Sequence, residues 1–541
     1  MAVATVATSS LHLACSSSAS GESKVLSRRC PCLLASAPGR ASPLKLVSND
    51  SRISTRIARK GSAVKSFAIA TDEASSNEQK LSTLSFGPDV FVLDLAEKLE
   101  ELDYAPGLNT AALEALSHLR ERSAEATLSL QWPTNKVEAY RYTDLRFLKN
   151  SDVEPTSLPS QDPGLELASF ELTSDENMYM LFSDGVVSSS SSDGLKDQDG
   201  VVFGCVSSLP EELVKEHVIP KLGESADWID GDFFASLNGL GVRELGVVIV
   251  PECVKMQRPL HVLYFSSQGG SEGGEKPVYA LSCPRLLVFV GKGAEINIVE
   301  EFVGEAGKLY WSNAMVEFFI EDEGSVRHNY VQNQARNAVH IKQTCVAQKQ
   351  SSNYELVEAV IGSRLSRHNV HIQQLGPDTT TKMDSFLLAG QSQLQDLHSR
   401  LILSHPRGFA RQLHKCIVMH SSGHCVFDGN VKVNRYAQQT DAGQLSRSLL
   451  LAPRATVSVK PNLQIIADDV KCSHGAAISD LEKDQIFYFQ ARGIDPQTAR
   501  STLVFSFGAE VLQQFRNKKL QERVEKTVMQ FLQTEGAIAS R

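Results

Sequence analysis

The chain has 541 residues, 42% hydrophobic and 22% charged, with 35 Gly and 20 Pro; this ordinary globular composition excludes collagen, a long coiled coil and wholesale disorder. Its formal net charge of −9 comes without the clustered basic face that nucleic acid requires. No run approaches the roughly 18–20 apolar residues that cross a bilayer as a helix, so no membrane span is expected.

Residues 1–65 stand apart. Met1 to Ala70 hold ten Lys/Arg and 15 Ser against Glu22 and Asp50 as the only acids, the pattern of an organelle transit peptide, and they lack the apolar block of about 7–15 residues that secretion needs. The segment reads as a disordered, plastid-type leader. Residues 85–150 read as an N-terminal helical region, because Leu95, Leu99, Leu102 and then Leu113, Leu116, Leu119 recur at helical spacing around a Tyr104-Ala105-Pro106-Gly107 break. Ser151 to Gly164 and the run Ser188 to Ser192 read as flexible connectors, with short helices over Pro210–His217 and Asp232–Asn238.

Residues 165–478 are expected to form a β-core with loop insertions. From Leu245 onward, strand-like runs such as Leu286–Val290, Glu295–Phe302, Ala314–Ile320, Tyr354–Ile361, Asp384–Leu388 and Cys416–His420 are separated by Gly, Asn, Asp or Pro. So long a β-region manages its edges by closure or repetition. Turn signals every 10 or so residues, without a hexapeptide period, favour a parallel, right-handed or irregular β-helix. Gln332–Gln334 and Gln438–Gln444 are candidates for side-chain ladders between its coils.

Residues 479–541 return to a helical period. Ser479 and Glu482 read as a capping box for a helix through Gln490, stopped by Gly493. Asp495-Pro496 opens a second helix toward Phe507, and a third is expected over Ala509–Gln533. The fold class is therefore mainly β, a parallel β-helix core flanked by N-terminal and C-terminal α-helical regions.

Ten of the 14 His lie between His328 and His474. His414, Cys416 and His420 share one strand face, with His424 and Cys425 just beyond, which raises zinc. Neighbours two apart in a strand stand roughly 6.5–7 Å from each other, awkward for one metal, so hydrogen-bonded structural histidines are the stronger reading. Whether these five bind metal stays open. Asp468-Asp469 point to opposite faces and suit a turn. Gly269 to Lys276 misses the phosphate-loop spacing, and no nucleophile elbow, HExxH or dinucleotide fingerprint occurs, so neither a catalytic residue nor a stably bound cofactor is assigned. A β-helix enzyme and a zinc-stabilised interaction module remain as alternatives.

Specificity rises at Asp468-Asp469-Val470-Lys471-Cys472-Ser473-His474-Gly475-Ala476. This segment resembles the signature of SufD-type subunits in the SufB/SufD family of SUF iron–sulfur cluster assembly. The likeness extends through Val426-Phe427-Asp428-Gly429-Asn430-Val431-Lys432-Val433, Gln438-Gln439-Thr440-Asp441-Ala442, Leu449-Leu450-Leu451, Phe487-Tyr488 and Ala491-Arg492-Gly493-Ile494. Earlier landmarks are Asn135 to Leu145 and Phe233 to Asn238. The resemblance implies a non-enzymatic scaffold paired with a SufB-like paralogue and docking a SufC-like ABC-type ATPase through its C-terminal helices, and the plastid-type leader places that scaffold in the stroma as an expectation. It also implies a transient iron–sulfur cluster at the interface with that paralogue. His474 matches the histidine implicated in cluster formation, with Cys472 a weaker candidate ligand; imidazole can replace thiolate on iron.

Overall fold

Runs rich in Val, Ile, Phe and Tyr, each ended by a polar corner, cannot bury both faces alone and stack instead. The computed structural model describes residues 89–159, 167–170, 178–191, 200–229, 231–270 and 274–539, so the leader expected at 1–65 lies outside the described residues. Its strands form a two-sheet solenoid. The first sheet holds β4 (Val202–Cys205), β5 (Gly246–Val250), β8 (Arg285–Val290), β10 (Tyr310–Ile320), β12 (Val339–Gln348), β14 (Leu365–Gln374), β16 (Leu394–Leu403), β18 (His424–Val433) and β20 (Thr456–Ile465), with β7 (Val278–Ser282) paired to β10 and β1 (Asp152–Pro155) paired to β7. The second runs β3 (Val186–Ser190), β2 (Met178–Ser183), β6 (Leu260–Ser266), β9 (Glu295–Gly304), β11 (Ser325–Gln332), β13 (Asn353–Val360), β15 (Thr380–Ala389), β17 (Phe409–Val418), β19 (Thr440–Leu450) and β21 (Val470–Ser479). The coil strands pair in parallel, and the two antiparallel pairs, β2 with β3 and β4 with β5, sit at the starting end.

One column of corners fixes the winding. Cys253, Gly293, Glu323, Ser351, Asp378, Arg407 and Gln439 all take φ between 55° and 66°. Each N–H donates to a carbonyl of the next corner: Cys253 to Lys292, Gly293 to Asp322, Glu323 to Gln350, Ser351 to Pro377, Asp378 to Pro406, Arg407 to Gln438 and Gln439 to Asp469. A left-handed non-glycine residue is strained by about 1–3 kcal/mol, and the bond to the coil above offsets it. Because these corners recur at unequal intervals, the solenoid carries no fixed sequence period. Asp468 and Asp469 form the last corner, as their sequence suggested.

The helices line the flanks. Val92, Leu95 and Leu99 of α1 (Val90–Glu100), Ala111, Leu116 and Leu119 of α2 (Thr110–Ser129), and Phe234, Leu237 and Leu240 of α5 (Phe233–Gly241) are buried with the outer face of the first sheet, contributed by residues such as Trp311, Ile341 and Phe289. Short turns α3 (Arg146–Lys149) and α4 (Glu211–Leu213) complete that layer. The landmark Tyr140–Thr143 is a polar clamp: Tyr140 donates to Asp232 at 3.0 Å, Thr143 to Asp396 at 2.5 Å, and Arg367 lies 4.1 Å over the Tyr140 ring while donating to Asp396 at 2.7 Å.

The C-terminal helices are α6 (Lys483–Gln490), α7 (Pro496–Leu512) and α8 (Lys518–Ala539). Asp495 caps α7 through the N–H groups of Gln497 and Thr498, with Pro496 at the first turn. Gly493 takes φ 79° after α6. Four local expectations are corrected. Asp152–Pro155, expected within a flexible connector over Ser151 to Gly164, is strand β1, held by its ladder with β7. Ser188–Ser190 belong to a strand, held by the hairpin with β2. Ser479 ends β21 and Glu482 occupies the N-cap without a side-chain bond, so the capping box does not form. The third helix begins at Lys518, because Asn517 accepts from Lys519 and Leu520 and restarts the chain after α7.

Val504, Val511, Leu512, Leu520, Val524 and Val528 bury their side chains against Val331, Ile361, Phe386, Ile417 and Leu449 on the outer face of the second sheet. Helices α7 and α8 thus cover a flank and leave the last coil uncapped.

Candidate functional site

The solenoid finishes as an open rung. Among the described residues β20 and β21 each have a ladder partner on one side alone. β19 buries Thr440, Ala442, Gln444, Ser446 and Ser448, its lumen-facing alternation, and β18 buries Cys425, Phe427, Gly429, Val431 and Val433. Register transfers those directions to the last coil, so Cys472, His474, Ala476 and Ile478 stand over Ala442, Gln444, Ser446 and Ser448. Opposite them are Val457, Val459, Pro461, Leu463 and Ile465. Proline is tolerated in a strand at an edge. Ile465, Ile466 and Ile478 remain 46%, 53% and 53% exposed because nothing stacks above them. Unpaired strand edges joined to exposed apolar side chains form a template for further strands.

His474 lies at the middle of β21 and is exposed. Cys472, two residues earlier on the same face, is half-buried and packs against the lumen cluster, and that burial pushes its thiol up from the ordinary cysteine value. A thiol kept protonated is a poorer ligand than the imidazole beside it.

The other sulfur and imidazole groups do not converge on one point, although the buried thiols of Cys416 and Cys425 meet each other. His414 and Cys416 point into the lumen, where His414 stacks on Phe427 at 4.3 Å and meets Ser446 at 3.2 Å. Cys425 is also buried. His420 sits at an exposed turn with Ser422 at 2.9 Å, and the outward-facing His424 meets Ser458 at 3.1 Å. Among the described residues no three His, Cys, Asp or Glu converge as a metal site. Of the expected ladders, Gln444 donates to Gln412 at 2.7 Å, whereas Gln332 and Gln334 approach at 3.5 Å and Gln332 turns to Ser363.

A buried ionic network fills the middle of the lumen and escaped the sequence reading. Glu300 accepts from Tyr264 at 2.8 Å and Lys342 at 2.5 Å, and lies 2.6 Å from His328. His328 reaches Tyr354 at 2.8 Å, Thr344 reaches His368 at 2.8 Å, and His368 lies 2.6 Å from Glu358. Burial opposes charge on Glu300, yet Lys342 and His328 hold its carboxyl below the usual range. The available signal was polar alternation, His340-Lys342-Thr344, inside a run otherwise suited to a buried strand.

Burial also lowers His414 to about 4. The folded chain therefore binds fewer protons than the unfolded chain between about pH 6.5 and 4, and stability falls as pH drops through that window. His414→Gln is expected to remove about 2.5 kcal/mol of the acid-induced loss between pH 7 and 4.5. Urea midpoints of both chains at the two pH values measure it, and equal losses would contradict the assignment.

Residues 271–507 match the family described as SUF system FeS cluster assembly, SufBD core domain. A 31% identical relative, the iron–sulfur cluster assembly SufBD family protein slr0076 of Synechocystis, is matched over 76% of this chain and 90% of its own length. The chain belongs to the SufBD family of iron–sulfur cluster assembly proteins. It is also similar to the chloroplastic protein ABCI7 of Arabidopsis thaliana, at 48% identity over 81% of this chain and 90% of that protein. The iron–sulfur cluster assembly protein SufD of Escherichia coli is 26% identical over 76% of this chain and 95% of its own length.

Proposed function

We propose that this chain is a non-enzymatic scaffold of the plastid stroma, whose open rung receives a SufB-like paralogue and contributes His474 to an iron–sulfur cluster built transiently at the joint. The observation that carries this reading is an exposed imidazole at the centre of a terminal strand with one unpaired edge. Each partner can satisfy the other's edge N–H and C=O groups, so pairing supplies what the isolated chain lacks. The cluster is cargo: a mixed imidazole and thiolate ligand set releases iron more readily than four thiolates. Cys472 is the secondary ligand candidate. The chloroplastic relative and the acid-poor leader support the location.

Helix α6 is the docking surface proposed for a SufC-like ABC-type ATPase. It buries no residue, and Phe487 and Tyr488 are 68% and 56% exposed, whereas α8 spends its apolar stripe on the second sheet. Co-expression with SufB-like and SufC-like chains should give a three-protein complex that retains iron and sulfide, while the chain alone holds little of either. Size and iron/sulfide analysis decide this, and failure to pair with the SufB-like chain refutes the reading. Phe487→Ser with Tyr488→Ser should reduce ATPase co-purification by about tenfold or more, as expected for exposed aromatic hot spots. The paralogue should remain bound, and undiminished ATPase binding would move the dock away from α6.

A further inference from the structure

The rung beneath His474 contains an amide with one unsatisfied end. Gln444 is the register partner of His474 and is 3% exposed. Its Nε2 donates at 2.7 Å to Oε1 of Gln412, one coil further back, and Oε1 of Gln412 also accepts from Ser399 at 3.2 Å. Oε1 of Gln444 is buried and has no hydrogen-bond partner. A carboxamide that spends its N–H on the strand behind it carries its carbonyl on the opposite edge, the side of β21. Such an orphaned buried acceptor is costly and calls for a donor.

Space for this amide is built into the neighbouring strand. A Cβ on Gly429 would stand 2.1 Å from Gln444 Nε2 and 2.8 Å from the Phe427 ring, so a side chain at 429 would displace the amide. That gives Gly429 of the Asp428-Gly429-Asn430 landmark a packing reason: it keeps the lumen clear beneath the last rung.

We propose that Gln444 is a positioning residue for His474, accepting the Nδ1–H of its imidazole and so presenting the Nε2 lone pair to iron at the open end. The proposal deepens the cluster-ligand reading and rests on it for its consequence in assembly. Adjacent parallel strands stand about 4.8 Å apart, so Nδ1, the ring nitrogen nearer the backbone, is the one a register neighbour reaches, while Nε2 projects past the edge. Histidines that bind metal commonly hold their second ring N–H on a carbonyl or carboxylate, which fixes the tautomer and raises ligand basicity. Here the acceptor is in place before any iron arrives, and the exposed His474 ring, which makes no hydrogen bond to it in this structure, reaches it by rotating about its side-chain torsions.

The tautomer provides a readout independent of cluster building. In the full chain labelled with 15N-histidine, the His474 ring, identified by its loss in His474→Asn, should be in the Nδ1–H form. Gln444→Leu should release it toward Nε2–H, and Gln444→Glu, which keeps an acceptor of the same reach, should retain Nδ1–H. A wild-type ring in the Nε2–H form overturns the proposal, and this decides the matter even where Gln444→Leu does not fold. In the complex with SufB-like and SufC-like chains, supplied with ferrous iron and sulfide, Gln444→Leu should lower cluster content roughly tenfold and Gln444→Glu should preserve it. Equal cluster content in wild type and Gln444→Leu also overturns it, unless His474→Ala assembles normally; in that event the ligand reading fails and a tautomer that follows Gln444 still supports the pairing.

Discussion

His474→Ala is expected to lower cluster assembly by roughly tenfold or more while leaving folding and the partner complex intact. The side chain is exposed on β21 and belongs to no apolar cluster, and the contact proposed for it is the single one to Gln444. Its removal should change stability by no more than about 1 kcal/mol, the net worth of one hydrogen bond at an otherwise exposed position. An assembly defect therefore reports ligation or shaping of the joint, not unfolding. His474→Asn, which retains a polar side chain of similar reach, separates those two: a shaping role is largely rescued and an iron ligand is not. Cys472→Ala should have the smaller effect on assembly, because burial keeps that thiol protonated, and a larger effect on stability because it packs against the lumen. Iron and sulfide per complex, measured beside the urea midpoint of each variant, test both. Normal cluster content in His474→Ala removes the imidazole from the site.

The contrast between the two residues shows where the sequence was informative. Strand-like runs between polar corners were enough to expect stacked coils, since a long series of strands with no helical segment between them manages its edges by stacking on itself. His474 was legible through its motif, but its exposure was not. That depends on the C-terminal helices lying along the second sheet, which no local pattern reveals: the stripe Leu520, Val524, Val528 fits an end cap as well as a flank. The helix boundaries near Ser479 and Asn517 failed for a related reason. Ser479 has both capping and strand character, and the ladder with β19 decides for strand. Gln444 read as part of a ladder, yet its orphan carbonyl emerges only when Gln412 and Gly429 are seen around it.

Lys342→Met is expected to cost about 3–5 kcal/mol, the range for removing one partner of a buried ion pair. Both Lys342 and Glu300 are fully buried, and Lys342 donates to Glu300 at 2.5 Å. Methionine matches much of the lysine stem, so the loss is electrostatic: the Glu300 carboxylate would keep Tyr264 and His328 as its buried contacts and lose its permanent counter-charge. In the intact chain burial pulls His328 down to about 4, with Lys342 adding to that effect and Glu300 opposing it. Without Lys342, protonation of His328 restores neutrality, so lowering pH from 7 toward 5 should narrow the gap between variant and wild type. The double variant Lys342→Met, Glu300→Gln should recover most of the loss at pH 7, because an amide can still accept from Tyr264 and no charge remains unpaired. Urea unfolding of the wild type, both single variants and the double variant closes the cycle. A penalty below about 1 kcal/mol for Lys342→Met, or a double variant no better than that single one, would mean that the lumen holds its carboxyl neutral and that the pairing read from the geometry is wrong.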